Sequence, residues 1–303
     1  VRSRKLAARG QLFGAGVLFG LMAVLARMGS RPGGGFTAGQ IITVRFAIGT
    51  LMTLGLFWIR PGTFRPVRHR LLVTRGVLGA LAALLYFVAL ARIPAGEATL
   101  LNNTFPVLAT LLSFYTLGER PTVHLAIALA VVTLGVFLVV GPGSGDLGLG
   151  LGELAGIASA VLGAGAVTSI RALRATDNAP TIFFAFCVGG LAVSAPFALG
   201  SWPAGAGPWA IAGAVGVLSF FAQLLMTQAY GALTVPEAAL WQQLTPVASY
   251  LWALALLDER LSPLGAVGVA LGLGGVVYGT VLGHRPARHR DVPPPALEPV
   301  DPA

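Results

Sequence analysis

Arg45 interrupts a long apolar run and Glu97 opens another, while Asn102, Asn103, Gln242 and Gln243 place paired amides inside two further apolar runs. None of these residues is a nucleophile with a base beside it. What they can do is recognise: a guanidinium takes a carboxylate, a carboxylate takes a proton, and amides take either end of a polar solute. Pro106 and Pro246 add to this chemistry, because proline has no backbone N–H. The carbonyls of Asn102 and Gln242, four residues earlier, are therefore left without helical partners. Ser219, Gln223, Thr227 and Tyr230 recur at helical spacing and form a polar stripe on an otherwise apolar segment. Tyr86 and Trp241, with Met226 as the repeat mate of Tyr86, supply aromatic and thioether walls for an organic solute. We read Tyr86, Asn102, Asn103, Gln223, Thr227, Tyr230, Trp241, Gln242 and Gln243 as substrate-binding residues. Arg45 and Glu97 form a charge pair or coupling site, and Pro106 and Pro246 are helix breaks. Each type also has a structural use: amides knit membrane helices together, and charges near span ends pair or snorkel. Arg45 has no copy in the other half, since position 185 is Ala, which argues against a purely architectural role.

The elements that position these residues follow from composition. Hydrophobic residues make up 55% of the 303, charged residues 10%, and mean hydropathy is +0.81. An ordinary soluble domain carries roughly 25% charged residues, so this is an all-α polytopic membrane protein. At about 20 apolar residues per span, ten spans are predicted: 11–28, 39–59, 72–91, 96–117, 122–140, 152–170, 180–199, 208–229, 236–257 and 262–282. Residues 1–9 resemble a basic signal-peptide n-region, but the apolar stretch that follows reads as a retained first helix. With the N-terminus cytoplasmic, fifteen Lys and Arg fall inside, Arg75 among them, against four outside, which predicts both termini in the cytoplasm.

Glu97, Pro106 and Glu119-Arg120 recur 140 positions later as Glu237, Pro246 and Glu259-Arg260, without a gap. The chain is therefore a duplication of five spans, and an odd number of spans turns the second copy upside down. The predicted organisation is a cytoplasmic N-terminus (1–10), a first five-helix repeat (11–140), a glycine-rich external linker (141–151), a second repeat (152–283) and a disordered cytoplasmic tail (284–303).

A repeat with Glu at the start of its fourth helix, Pro within that helix, and Gly118-Glu119-Arg120 or Asp258-Glu259-Arg260 before its fifth resembles the EamA-type drug/metabolite transporter superfamily. The resemblance covers about residues 10–283. It implies two five-helix repeats around a central cavity and export or exchange of small metabolites, with YddG-type amino-acid exporters as one branch.

No His-Glu-x-x-His cluster, no phosphate-cradling loop and a single Cys187 are present, so no metal site, cofactor, enzyme chemistry or ATP-driven pumping is expected. The scattered Arg and Lys do not make a nucleic-acid surface. The expectation is a secondary carrier in the bacterial inner membrane, with the lipid bilayer and a small solute as partners. That solute is an amino acid, aromatic ones included, or another metabolite or drug class such as a nucleobase, sugar or organic cation; a channel and an intramembrane enzyme are the rival readings. Small residues along the sixth span (Gly156, Ala160, Ala164, Thr168) and the tenth (Gly268, Gly272, Gly275, Gly279) mark close packing, and the tenth offers one route to a homodimer.

Overall fold

The computed structural model describes residues 2–30, 35–90, 92, 101–140, 150–256 and 263–283. Its helices are α1 (Arg2–Gly29), α2 (Ala38–Ile59), α3 (His69–Leu90), α4 (Phe105–Leu117), α5 (Val123–Val140), α6 (Leu151–Leu173), α7 (Ala179–Ser194), α8 (Ala206–Ala229), α9 (Val235–Gln242), α10 (Leu244–Leu256) and α11 (Pro263–Leu282). A 3-10 turn, Ala195–Ala198, prolongs α7. Among the described residues, seven helices are long and apolar enough to cross a bilayer: α1, α2, α3, α6, α7, α8 and α11. With the shorter α4 and α5 and the interrupted α9–α10 pair, they make ten transmembrane helices. Helix α1 begins at Arg2, so most of the segment expected to precede the first span is its first turns.

The helix ends follow local chemistry. Thr37 with Gln40, and Thr234 with Glu237, form reciprocal capping boxes at the starts of α2 and α9. Asn178 caps α7, and Gly118 closes α4 in the left-handed region at φ 67°.

The two halves pack as a pseudo-two-fold pair. Helix α3 lies on α6 as α1 lies on α8, α3 on α7 as α2 on α8, and α4 on α6 as α1 on α10. Helices α2 and α7, and α5 and α11, pair with their own repeat mates. With α9 and α10 counted as one span, a shift by five spans exchanges every one of these contacts, which is what two inverted five-helix repeats require.

Glycines set the closest approaches. A Cβ on Gly275 would lie 2.5 Å from Val132, and one on Gly279 would lie 2.5 Å from Leu240 and 2.6 Å from Ala128. Gly272 likewise faces Val247, at 2.9 Å. The glycine face of the last span is thus consumed inside the chain against α5, α9 and α10, and is not open for a homodimer. Large apolar side chains such as Val123, Trp58 and Val281 point outward instead, as a bilayer solvent favours.

Candidate functional site

A chain of polar side chains runs through the middle of this apolar bundle. Arg45 lies seven residues, about 10 Å, into α2, and its Nε donates to Ser219 Oγ at 2.5 Å. Ser219, Gln223 and Thr227 follow each other at successive turns of α8, all buried. Gln223 Oε1 has no hydrogen-bond partner among the described residues. Tyr230 caps the C-terminal end of α8 and is fully buried; its hydroxyl accepts from Gln242 Nε2 at the end of α9. The polar stripe therefore links α2, α8 and α9 across both repeats.

The two proline-containing spans break at repeat mates. In the fourth, the turn falls at Asn103 and Thr104, and Thr104 N–H reaches back only to Leu101 O at 3.2 Å. In the ninth, it falls at Gln243, between α9 and α10. The Gln243 side chain joins the breaks: its Nε2 donates to the Asn103 carbonyl at 3.4 Å and to Thr133 Oγ1 at 3.2 Å. Asn102 turns away, donating to Ser159 Oγ at 2.7 Å, and Ser159 in turn donates to the Ala82 carbonyl at 2.7 Å. Asn102 thereby ties the fourth span to α6 and α3.

Polar contacts also join the repeats at the face of the bundle that carries the N-terminus. Glu119 Oε1 accepts from Arg171 Nε at 2.8 Å, and its Oε2 accepts from Val235 N–H at 2.6 Å. Lys5 pairs with Glu237 at 3.3 Å, and Gln11 Nε2 donates to Gln228 Oε1 at 3.2 Å. Beside this ring a cavity of about 380 Å³ is lined by Arg4, Gln11, Arg174, Asn178 and Gln228, among others. Burial, then the neighbouring Arg4 charge, hold the Arg174 guanidinium below its ordinary value, and its Nε has no acceptor among the described residues. The cavity is electropositive.

Of the residues singled out from sequence, Arg45, Gln223, Thr227, Tyr230 and Gln242 lie along one polar path. Asn103 and Gln243 sit together at the paired breaks. Asn102 is engaged with α6, Tyr86 packs beside Ala89 and Ala155, and Trp241 packs between two apolar clusters. Glu97, expected to partner Arg45, lies outside the described residues, as do Asp258-Glu259-Arg260 and most of the linker and tail. Arg75 differs from expectation. Counted among the cytoplasmic charges, it lies six residues into α3, is 3% exposed, and holds its guanidinium 4.1 Å from the centre of the Phe186 ring. Its position inside an apolar window was the available signal; proximity to a basic loop hid it.

Comparison with known proteins agrees with this architecture. The EamA-like transporter family matches residues 10–141 and 150–280. The pseudopaline exporter CntI of Pseudomonas aeruginosa, in two strains, is 32% identical over 218 residues, covering 71% of this chain and 75% of the relative. A solved crystal structure superposes with a TM-score of 0.79 at 23% identity, over 91% of this chain and 97% of the other, and shares the fold.

Proposed function

The chain belongs to the EamA-like transporter family, and from that premise we propose that it is a secondary carrier exporting small polar metabolites, amino acids and amino-acid-like solutes among them. It is an integral membrane transporter. The observation that carries the finer reading is the polar path Arg45–Ser219–Gln223–Thr227–Tyr230–Gln242, built from both repeats, with its four α8 residues buried and Arg45 and Gln242 at its two ends half-buried. Polar groups in a membrane interior are costly, and they are retained where a solute or ion passes. Because the path joins two inverted repeats, rocking one repeat against the other exposes it to either side in turn.

Export direction and a polar solute are in keeping with the pseudopaline-exporting relative. In this reading both termini are cytoplasmic in a bacterial inner membrane, and the electropositive cavity of the N-terminal face receives the solute. The amides of Gln242 and Gln223 orient it, Asn103 and Gln243 hold the breaks about which the spans flex, and Tyr86 and Trp241 form the surrounding walls.

The test is counterflow in liposomes preloaded with an amino-acid mixture. Saturable exchange of a subset supports the carrier. Non-saturating flux without exchange identifies a channel, and no flux of any amino acid in folded protein redirects the assignment to other metabolites.

A further inference from the structure

Arg45 and Arg75 each lie against one ring of a contacting pair. The Arg45 guanidinium lies 5.6 Å from the Phe46 centroid and the Arg75 guanidinium 4.1 Å from that of Phe186, while Phe46 and Phe186 meet edge to face at 5.1 Å. The two cations act on one another electrostatically. Arg75 is 3% exposed and its Nε has no acceptor among the described residues. Among the described residues, the one hydrogen bond made by Arg45 is to the neutral Ser219.

No described carboxylate balances them. Glu119 is engaged by Arg171, Glu237 by Lys5, Asp177 by the Val67 and Arg68 amides, and Glu153 stands in the first turn of α6. Two guanidinium groups held in a membrane interior, with only neutral partners among the described residues, are an expensive arrangement, stabilised only in part by cation–π contact. Their natural complement is an anion that comes and goes. The unpartnered Gln223 Oε1 lies one turn from Ser219 on α8 and offers an acceptor for an ammonium or hydroxyl on the same solute.

We propose that Arg45 and Arg75 form the anion-binding subsite of the transport path, so that the exported solute must carry a carboxylate. This rests on the carrier reading above. A guanidinium fork matches a carboxylate in plane and charge, whereas Lys would not. Arg45 contacts the solute beside Ser219, and Arg75, held against Phe186, adds its positive charge.

The test uses the full-length protein purified in detergent, with phenylalanine and succinate as probes and phenylalaninamide and succinamide as their neutralised counterparts. Thermal stabilisation by at least one acid and by neither amide is the expected result. Arg45→Gln should raise the half-saturating acid concentration about 10- to 150-fold, the size of a lost charge-assisted hydrogen bond, and Arg75→Gln, which removes a charge without a contact to the solute, by less. Arg75→Lys, which keeps the charge, should recover most of its loss, whereas Arg45→Lys should recover only part.

Ser219→Asp tests the same idea without a known solute. A carboxylate placed beside Arg45 Nε should raise the melting temperature and abolish stabilisation by the acid probes. Equal stabilisation by acids and amides, or a lower melting temperature in Ser219→Asp with acid binding intact, overturns the subsite while leaving the carrier standing. If Glu97→Gln destabilises the wild type but not the Arg45→Gln variant, Glu97 is the resident counter-charge and the inference falls. Absence of counterflow for every solute, with acid binding intact, sinks the carrier reading instead.

Discussion

Glu119→Gln should loosen the closure of the N-terminal face by an amount that can be worked out from the contacts it makes. Glu119 ends the fourth span of the first repeat, Arg171 ends α6 and Val235 begins α9 of the second, so one carboxylate holds three helices across the pseudo-two-fold. Its Oε1 accepts from Arg171 at 2.8 Å and its Oε2 from Val235 N–H at 2.6 Å, with the Glu119 side chain only 12% exposed. The amide can keep one acceptor but not both, and it loses the charge. A hydrogen bond to a charged group contributes about 1.5–3 kcal/mol, which is about a 10- to 150-fold shift in the ratio of open to closed faces. Arg171 retains the Tyr230 carbonyl at 3.2 Å as an acceptor, so the helices should not unfold. The readout is maleimide labelling of a cysteine placed at Ala229, which is fully buried next to Tyr230, in a Cys187→Ala background. The sole native cysteine is buried, and its replacement in every variant leaves the comparison between them unaffected. Glu119→Gln should speed labelling by about that factor, and Lys5→Met, which breaks the pair with Glu237, by less because Lys5 is 36% exposed. Unchanged labelling at unchanged thermal stability would refute the view that these contacts hold the face shut.

Four further outcomes are expected. Gln242→Ala and Tyr230→Phe should each lower solute flux in liposomes without preventing insertion, because each removes one end of the bond that joins α8 to α9; wild-type flux in both variants would refute a role for this bond. Asn102→Ala should also lower flux, and should cost only about 0.6 kcal/mol in a detergent unfolding titration, since it removes one interhelical hydrogen bond to Ser159. Gly279→Leu should destabilise by about 1–3 kcal/mol or more in the same titration, because even a Cβ there would press on Leu240 and Ala128. Gly118→Ala should cost about 1 kcal/mol through its positive φ alone, measured as a lowered melting temperature with normal labelling of the Ala229 cysteine site.

The sequence already carries the architecture, and the reasons are local. Hydropathy over about 20 residues marks a span wherever the span ends up, and a constant offset of 140 between matching residues marks the duplication. Five spans per copy then make inversion unavoidable. The prolines were legible for the same reason. A missing N–H acts on its own helix, so Pro106 and Pro246 announced interruptions that fall at the mates Asn103 and Gln243. The Thr234–Glu237 capping box likewise follows from spacing alone.

Partners were another matter, because they depend on how each helix is rotated and what it crosses. Four amides at duplicated positions looked equivalent, yet Asn102 is bound to Ser159 of α6, Gln243 bridges to the opposite break, and Gln242 reaches Tyr230. Those rotations are set by close approaches such as Gly275 on Val132 and Gly216 on Ile48, which no one-dimensional pattern records. Arg75 makes the same point: one sequence position near a basic loop fits a solvated charge or a buried one, and only the packing of α3 on α7 brings it over Phe186. The sequence by itself determined ten apolar helices in two inverted copies and the types of polar group they carry, since these rest on residue chemistry and chain-local geometry. Which polar groups meet was decided only when the helices packed, because proximity between distant segments is a property of three dimensions.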